Sequence, residues 1–114
     1  MDDELQLFVK WTDFLKWLLN TTEKFPKKVR FTFTTRIDNL ALDILEDIIE
    51  FRYDTYARKT GFKMINIKFE KLRILLRICH EQHYLSNKQF EYAMIHINEV
   101  GRMTGAWLRG SAQA

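Results

Sequence analysis

Residues 26–59 contain one proline, at their first position, and no glycine. Pro26 suits the first turn of a helix, because its fixed φ is helical and the N–H that it lacks would have no partner there. Gly61 follows at a point where a left-handed residue can end a helix. We therefore predict one helix from Pro26 to about Lys59, roughly 50 Å long, and a tight connection at Thr60-Gly61.

The apolar residues of this segment repeat at steps of three and four, which is typical of a helix with a buried face. The predicted core positions are Phe33, Ile37, Leu40, Ala41, Ile44, Ile48 and Phe51. A second apolar stripe, about 120–140° around the helix, consists of Phe31, Leu42, Leu45, Ile49 and Tyr56. An acidic row between the stripes comprises Asp43, Asp47, Glu50 and Asp54. Two apolar faces need two sets of neighbours, so we expect another copy of the protein, or alternatively the first helix, to cover the second stripe.

Three further amphipathic segments complete the predicted fold. A first helix is predicted over residues 4–23, a third over Lys63–Tyr84, and a fourth from the turn at Ser86 to about Arg109, with Gly110 as its stop. Ser86-Asn87-Lys88-Gln89 matches the capping box of a helix start. Short connections between four helices favour an antiparallel up-down-up-down bundle. Residues 1–114 are thus predicted to form one all-α domain.

The third helix repeats the two-sided pattern. Its predicted core face consists of Ile65, Phe69, Leu72, Leu76, Cys79 and His83. A stripe nearly opposite consists of Ile67, Ile74, Ile78 and Leu85. The predicted oligomer interface comprises Phe31, Leu42, Leu45, Ile49, Ile67, Ile74 and Ile78. On the fourth helix, Gly101 and Gly105 lower helix stability, which suggests close approach by another backbone.

The composition is that of an ordinary globular protein, with 46% apolar and 29% charged residues. The formal charge is +3, and residues 62–85 concentrate it with five basic and two acidic side chains. The single cysteine cannot form an internal disulfide, which favours a reducing compartment. No apolar run reaches the roughly 18 residues of a membrane span, and the acidic start is unlike a signal peptide. We expect a cytoplasmic protein without a membrane partner.

Cys79, His80 and His83 are the cluster that most resembles metal ligands. A tetrahedral site needs further ligands, and a buried thiol with a core imidazole is the simpler interpretation. Di-iron bundles use Glu-x-x-His pairs, which this sequence lacks. It also lacks a glycine-rich phosphate loop and a recognisable nucleophile–base pair. We therefore predict no catalytic residue, metal or cofactor, and a protein that is not an enzyme.

Basic residues carry the remaining chemistry, on the second, third and fourth helices. The predicted nucleic-acid-binding residues are Lys27, Lys28, Arg30, Lys63, Lys68, Lys71, Arg73, Arg77, Arg102 and Arg109. The alternative is a solvated surface, which is the usual state of such side chains. Arg73 and Arg77 could instead pair with the acidic row of an adjacent subunit. In a ring, a modest charge per subunit would become a contiguous positive field suited to phosphates.

Two segments resemble a known family. They are Phe25-Pro26-Lys27, leading to Arg30 and Arg36-Ile37, and Glu99-Val100-Gly101-Arg102-Met103-Thr104-Gly105-Ala106-Trp107-Leu108. Together with the four-helix layout, they resemble the accessory variability determinant (Avd) proteins of diversity-generating retroelements. That family is related to the ribosomal-RNA intervening-sequence proteins, which are also four-helix bundles.

The resemblance implies a barrel-shaped homopentamer, a ring of four-helix bundles with a basic surface. It also implies binding to the retroelement's reverse transcriptase and template RNA, in support of adenine-directed mutagenic cDNA synthesis and retrohoming. It supplies no catalytic residue. The alternative is an oligomeric interaction protein of the intervening-sequence type, without a reverse-transcriptase partner.

Overall fold

The structure, a computed structural model, describes residues 3–113, with the backbone alone for residue 3 and residues 111–113. These residues form four α-helices and no strand: α1 (Asp3–Thr22), α2 (Thr35–Tyr53), α3 (Thr55–Glu81) and α4 (Asn87–Gln113). A 3₁₀ turn (Lys27–Val29) and a π-helical turn (Arg30–Thr34) precede α2. The all-α prediction is confirmed, and α1 agrees with the predicted first helix to within one residue at each end.

Contacts between the ends of neighbouring helices establish the antiparallel order. Glu4 at the start of α1 lies 3.8 Å from Arg52 at the end of α2. Thr22 at the end of α1 donates a 2.7 Å hydrogen bond to Asp38 near the start of α2. In each of the other three neighbouring pairs, a residue late in one helix contacts a residue early in the other. These contacts are Phe51 of α2 with Gly61 of α3, His80 of α3 with Asn87 of α4, and Trp17 of α1 with Tyr92 of α4. Each helix therefore packs against two neighbours in an up-down-up-down bundle.

The chain reverses at Asp54, so the continuous helix predicted from Pro26 to Lys59 is wrong. Asp54 has an extended backbone, with φ −130° and ψ 104°. Its carboxylate oxygen Oδ1 accepts hydrogen bonds from the backbone N–H groups of Tyr56 (3.0 Å) and Ala57 (3.2 Å). These bonds make Asp54 the N-cap of α3. α3 begins at Thr55, not at the predicted Lys63.

Gly61 lies inside α3, so the connection predicted at Thr60-Gly61 is also wrong. A Cβ atom built on Gly61 would lie 2.4 Å from both Cε1 and Cζ of Phe51. Such a distance is a severe clash with a buried, rigid ring. The glycine permits close packing of α3 on the end of α2, and its backbone is not left-handed.

α3 ends in a Schellman motif that uses a histidine in place of glycine. His83 has φ 66°, in the left-handed region. The N–H of Tyr84 donates to the carbonyl of Cys79 (2.8 Å), and the N–H of His83 donates to the carbonyl of His80 (3.0 Å). α3 therefore stops at Glu81, before the predicted Tyr84. Two placements are corrected: His83 is exposed and not on the core face, and Leu85 is buried and not on the outer stripe.

The capping box predicted at the start of the fourth helix is confirmed. The N–H of Ser86 donates to Oε1 of Gln89 (2.9 Å), and the N–H of Gln89 donates to Oγ of Ser86 (3.1 Å). At the other end, α4 continues through Gly110 to Gln113. The stop predicted at Gly110 is wrong, since this glycine keeps a negative φ.

The core runs along the bundle axis and draws on all four helices. From the predicted core positions of α2, the structure buries Ile37, Ala41, Ile44, Ile48 and Phe51 and packs the half-buried Phe33 and Leu40 against them. The indole N–H of Trp11 donates to the carbonyl of Ala41 (3.0 Å), which satisfies a fully buried polar group. Within residues 3–113, no helix is long and apolar enough to cross a membrane.

Candidate nucleic-acid interface

A groove between α3 and α4 brings three of the predicted basic residues together. We call it the arginine groove. Its lining consists of Phe62, Asn66 and Arg73 from α3 and Asn98, Gly101, Arg102, Gly105 and Arg109 from α4. Three guanidinium groups and two amides thus line one polar surface.

Two glycines allow the guanidinium groups of Arg73 and Arg109 to lie directly on the backbone of α4. A Cβ atom on Gly101 would lie 3.2 Å from Nη2 of Arg73, and one on Gly105 would lie 3.2 Å from Nη1 of Arg109. Both distances are tighter than ordinary van der Waals contact. The close approach predicted at Gly101 and Gly105 therefore comes from arginine side chains, and the prediction that another backbone approaches is wrong.

Arg73 is held in place by two hydrogen bonds. Its Nε donates to Oδ1 of Asn98 on α4 (2.8 Å), and its Nη1 donates to Oε2 of Glu70, one turn earlier on α3 (3.1 Å). Only 24% of its side chain is exposed. These two bonds occupy two of the five guanidinium N–H donors. Arg73 therefore joins α3 to α4 and also contributes charge to the groove.

Arg102 and Arg109 are both exposed. Within the part of the chain whose side chains are described, neither forms an ion pair. The nearby Glu99 is engaged elsewhere, by Nζ of Lys10 at 2.8 Å. That hydrogen bond lowers the pKa of Glu99, with smaller contributions from the charges of Lys10, His96 and Arg102. Glu70 pairs with Arg73, so the unpaired positive charge of the groove comes from Arg102 and Arg109.

The other basic residues predicted on α3 lie in different surroundings. Lys68 forms a 2.6 Å ion pair with Asp47, a member of the acidic row, within the same chain. Lys71 lines a second groove, between α2 and α3, together with Asp43. Lys63 and Arg77 are exposed. The predicted binding surface on α3 is therefore divided between two grooves and open solvent.

Lys27, Lys28 and Arg30 lie at the end of the bundle where α3 finishes. All three are exposed, and Nζ of Lys28 is 6.0 Å from the centroid of the Tyr84 ring. The sequence prediction omitted the exposed Lys24 and Arg36, which flank them. A shorter window would have found both, because residues 24–37 contain five basic and no acidic residues.

The residues predicted to form the oligomer interface differ in exposure. The exposed fractions are 86% for Phe31, 39% for Leu42, 40% for Ile49, 37% for Ile67 and 43% for Ile74. Leu45 and Ile78 are half-buried within the chain. Ile49 lines a groove between α1 and α2, whereas Ile74 lines the groove between α2 and α3. Ile49 and Ile74 thus lie in grooves on opposite sides of α2.

The three residues considered as metal ligands face different surroundings. Cys79 is fully buried, and burial raises the pKa of its thiol to about 11. Nε2 of His80 is 2.7 Å from Oδ1 of Asn87, and its ring stacks on Phe90 with a centroid distance of 4.5 Å. His83 is exposed at the turn. Among the described residues, no three His, Cys, Asp or Glu side chains are grouped to hold a metal ion.

Comparison with known proteins gives one finding. A family model described as bAvd-like matches residues 6–111, which include the whole arginine groove. No curated protein and no solved structure gives a match.

Proposed function

Because the chain belongs to the bAvd-like family, the accessory proteins of diversity-generating retroelements, we propose that it serves its retroelement by binding nucleic acid along the arginine groove. The binding assists the reverse transcriptase in mutagenic cDNA synthesis and retrohoming. The protein contributes no catalytic group of its own. Its two partners are the template RNA and the reverse transcriptase, and it acts as a homo-oligomer, which we propose to be a pentameric ring.

The observation that carries this proposal is the convergence of Arg73, Arg102 and Arg109 in one groove. Arginine is suited to phosphate because its planar guanidinium can donate two parallel hydrogen bonds to two oxygen atoms. A groove with three such groups fits a chain of phosphates better than it fits an apolar protein surface. We therefore assign the groove to the nucleic-acid backbone.

Asn66 and Asn98 add neutral hydrogen-bonding groups to the same surface. Asn98 already accepts a hydrogen bond from Arg73 through Oδ1, so its amide N–H₂ is the part that can donate to a ligand oxygen. Hydrogen bonds of this kind position a backbone and do not read base sequence. Binding with little sequence preference is the expected behaviour.

The proposal is tested with the double variant Arg102→Ala/Arg109→Ala. Both side chains are exposed, so the fold is retained, whereas Arg73→Ala would also break the link to Asn98. Removal of two charge-assisted hydrogen-bonding groups should weaken binding of a fluorescent RNA at least about tenfold. Fluorescence anisotropy measures the affinity, for two RNAs of unrelated sequence.

The matched control is Lys16→Ala/Lys88→Ala, which removes the same charge from exposed positions outside the groove. Affinity close to that of the wild type in the control, with a reduction in the arginine variant, supports the groove. An equal reduction in both variants would mean that only the net charge matters. No binding by the wild type would contradict the proposed function and favour an interaction protein of the intervening-sequence type.

A further inference from the structure

Residues 24–37, which we call the basic segment, form the part of the chain with the densest positive charge. The segment contains five basic and no acidic residues. Phe25 and Val29 are buried, each 8% exposed, and fix the segment to the core. Its basic side chains are all exposed, and no ion pair within the described part of the chain involves them. The basic segment is thus an anchored surface and not a loose tail.

Phe31 is the most exposed large hydrophobic residue among those described, at 86%. It lies in the π-helical turn Arg30–Thr34. A π turn closes its hydrogen bond one residue later than an α turn. The residues before it therefore do not continue the helical spacing of α2. Phe33, two positions on, packs against the core, whereas Phe31 projects into solvent directly after the basic side chains of Lys27, Lys28 and Arg30.

We propose that Phe31 stacks on a base of single-stranded nucleic acid while the flanking basic side chains contact its phosphates. This inference depends on the proposed function, because it names a second contact for the same ligand. Single-strand-binding proteins combine a positive surface with aromatic side chains on which bases stack. Phe31 offers the same combination, because Arg30, Lys28 and Lys27 precede it by one, three and four residues.

The charge around Phe31 favours nucleic acid over a second copy of the chain. Another copy of the chain that covered Phe31 would also have to offer carboxylates to the basic segment, which contains five basic and no acidic residues. A nucleic-acid strand supplies the opposite charge and a flat apolar base together. A duplex would supply only the charge, because its base faces are stacked inside.

The test compares Phe31→Ala with the wild type for binding to an oligoadenylate strand that carries one fluorescent adenine analogue. Stacking on Phe31 should change the analogue's fluorescence, and the alanine variant should not show this change. Its affinity for the single strand should fall about 5- to 150-fold. Its affinity for an RNA duplex should stay within about twofold, because no duplex base stacks on the ring. Phe31→Trp should retain both the signal and the affinity.

Tyr56→Ala is the matched control, since Tyr56 is another exposed aromatic residue, at 74%, outside the basic segment. It should bind both RNAs like the wild type. Unchanged single-strand affinity and fluorescence in Phe31→Ala would overturn the inference while leaving the proposed function intact. A change in oligomer mass in Phe31→Ala would also overturn it, because Phe31 would then contact another subunit. Failure of the wild type to bind either RNA would contradict the proposed function itself.

Discussion

At Gly61 the absence of a side chain lets α3 pack on the ring of Phe51. The ring is 3% exposed, so it has little room to move aside from a new methyl group. A glycine in mid-helix otherwise costs about 0.5–1 kcal/mol relative to alanine. Steric contact, which forbids alanine, therefore outweighs helix propensity, which would favour it.

We predict that Gly61→Ala destabilises the protein by about 1–3 kcal/mol, the usual cost of overpacking. Urea denaturation monitored by circular dichroism measures the change. Gly110→Ala is the matched control, because a Cβ atom there meets nothing within 4 Å. The control should be stabilised by about 0.5–1 kcal/mol. Equal effects of the two substitutions would contradict the packing role of Gly61.

At this scale the sequence reveals that a glycine is special but not why. From sequence alone, Gly61 could equally be a left-handed residue that ends a helix or a residue that allows close packing within one. Only the position of the Phe51 ring distinguishes these two roles. The role of Gly105 was predictable, because helical side chains lean towards the residue four positions earlier, which places Arg109 over it. Gly101 could not be interpreted in this way, since Arg73 belongs to another helix.

Arg58 joins the elements at the break between α2 and α3. It donates through Nε to the carbonyl of Phe51 and through Nη2 to the carbonyl of Arg52 (2.8 Å). These carbonyls lie in the last turn of α2, where no helical N–H can reach them. The guanidinium also lies 3.5 Å from Glu4 of α1 and 5.3 Å from the ring centroid of Trp107 of α4. One side chain thus contacts all the other helices.

We predict that Arg58→Ala lowers the free energy of unfolding by about 2 kcal/mol, mainly because two hydrogen bonds to carbonyls are removed. Lys59→Ala, at an exposed neighbouring position, should change it by less than about 0.5 kcal/mol. Thermal and urea denaturation of both variants provide the measurement. A destabilisation of similar size in Lys59→Ala would mean that charge, and not capping, is responsible.

The all-helical content, the core face of α2 and the Ser86 cap were predictable because each depends on local spacing. The break at Asp54 was not, because Asp54 continues the spacing of Asp43, Asp47 and Glu50 along one face of the predicted helix. The structure gives two of these carboxylates distinct roles, with Asp47 paired to Lys68 and Asp54 capping α3. Because all four are acidic residues at helical spacing, the sequence pattern does not distinguish the ion-paired Asp47 from the capping Asp54.

At the scale of the whole molecule, the chain leaves apolar side chains exposed on both sides of α2. Ile49 and Ile74 line separate grooves there. Clustered exposed apolar side chains are typical of surfaces that contact other molecules. The family resemblance predicts that these side chains contact other copies of the chain in a pentamer. The arginine groove lies elsewhere, between α3 and α4.

We predict that light scattering at micromolar concentration gives the mass of several subunits, and of five subunits if the assembly is the pentamer that the resemblance implies. Ile49→Glu should reduce the mass, because a carboxylate buried at an interface loses its hydration. Ile95→Glu is the control, at a residue 55% exposed on α4 and outside the predicted stripes. A monomer mass for the wild type would contradict the predicted assembly.

The individual arginines of the groove were predictable from composition and helix position, but their convergence required the pairing of α3 with α4. The claim that they bind phosphates is tested most directly by the salt dependence of RNA affinity. For the wild type, the logarithm of the affinity should fall linearly with the logarithm of salt concentration, since each phosphate that an arginine neutralises releases condensed counterions. In Arg102→Ala/Arg109→Ala the slope should be smaller by about 1.4 for single-stranded RNA, roughly 0.7 for each phosphate that is no longer neutralised. An unchanged slope in that variant, or an affinity of the wild type that does not respond to salt, would contradict phosphate binding by the arginine groove.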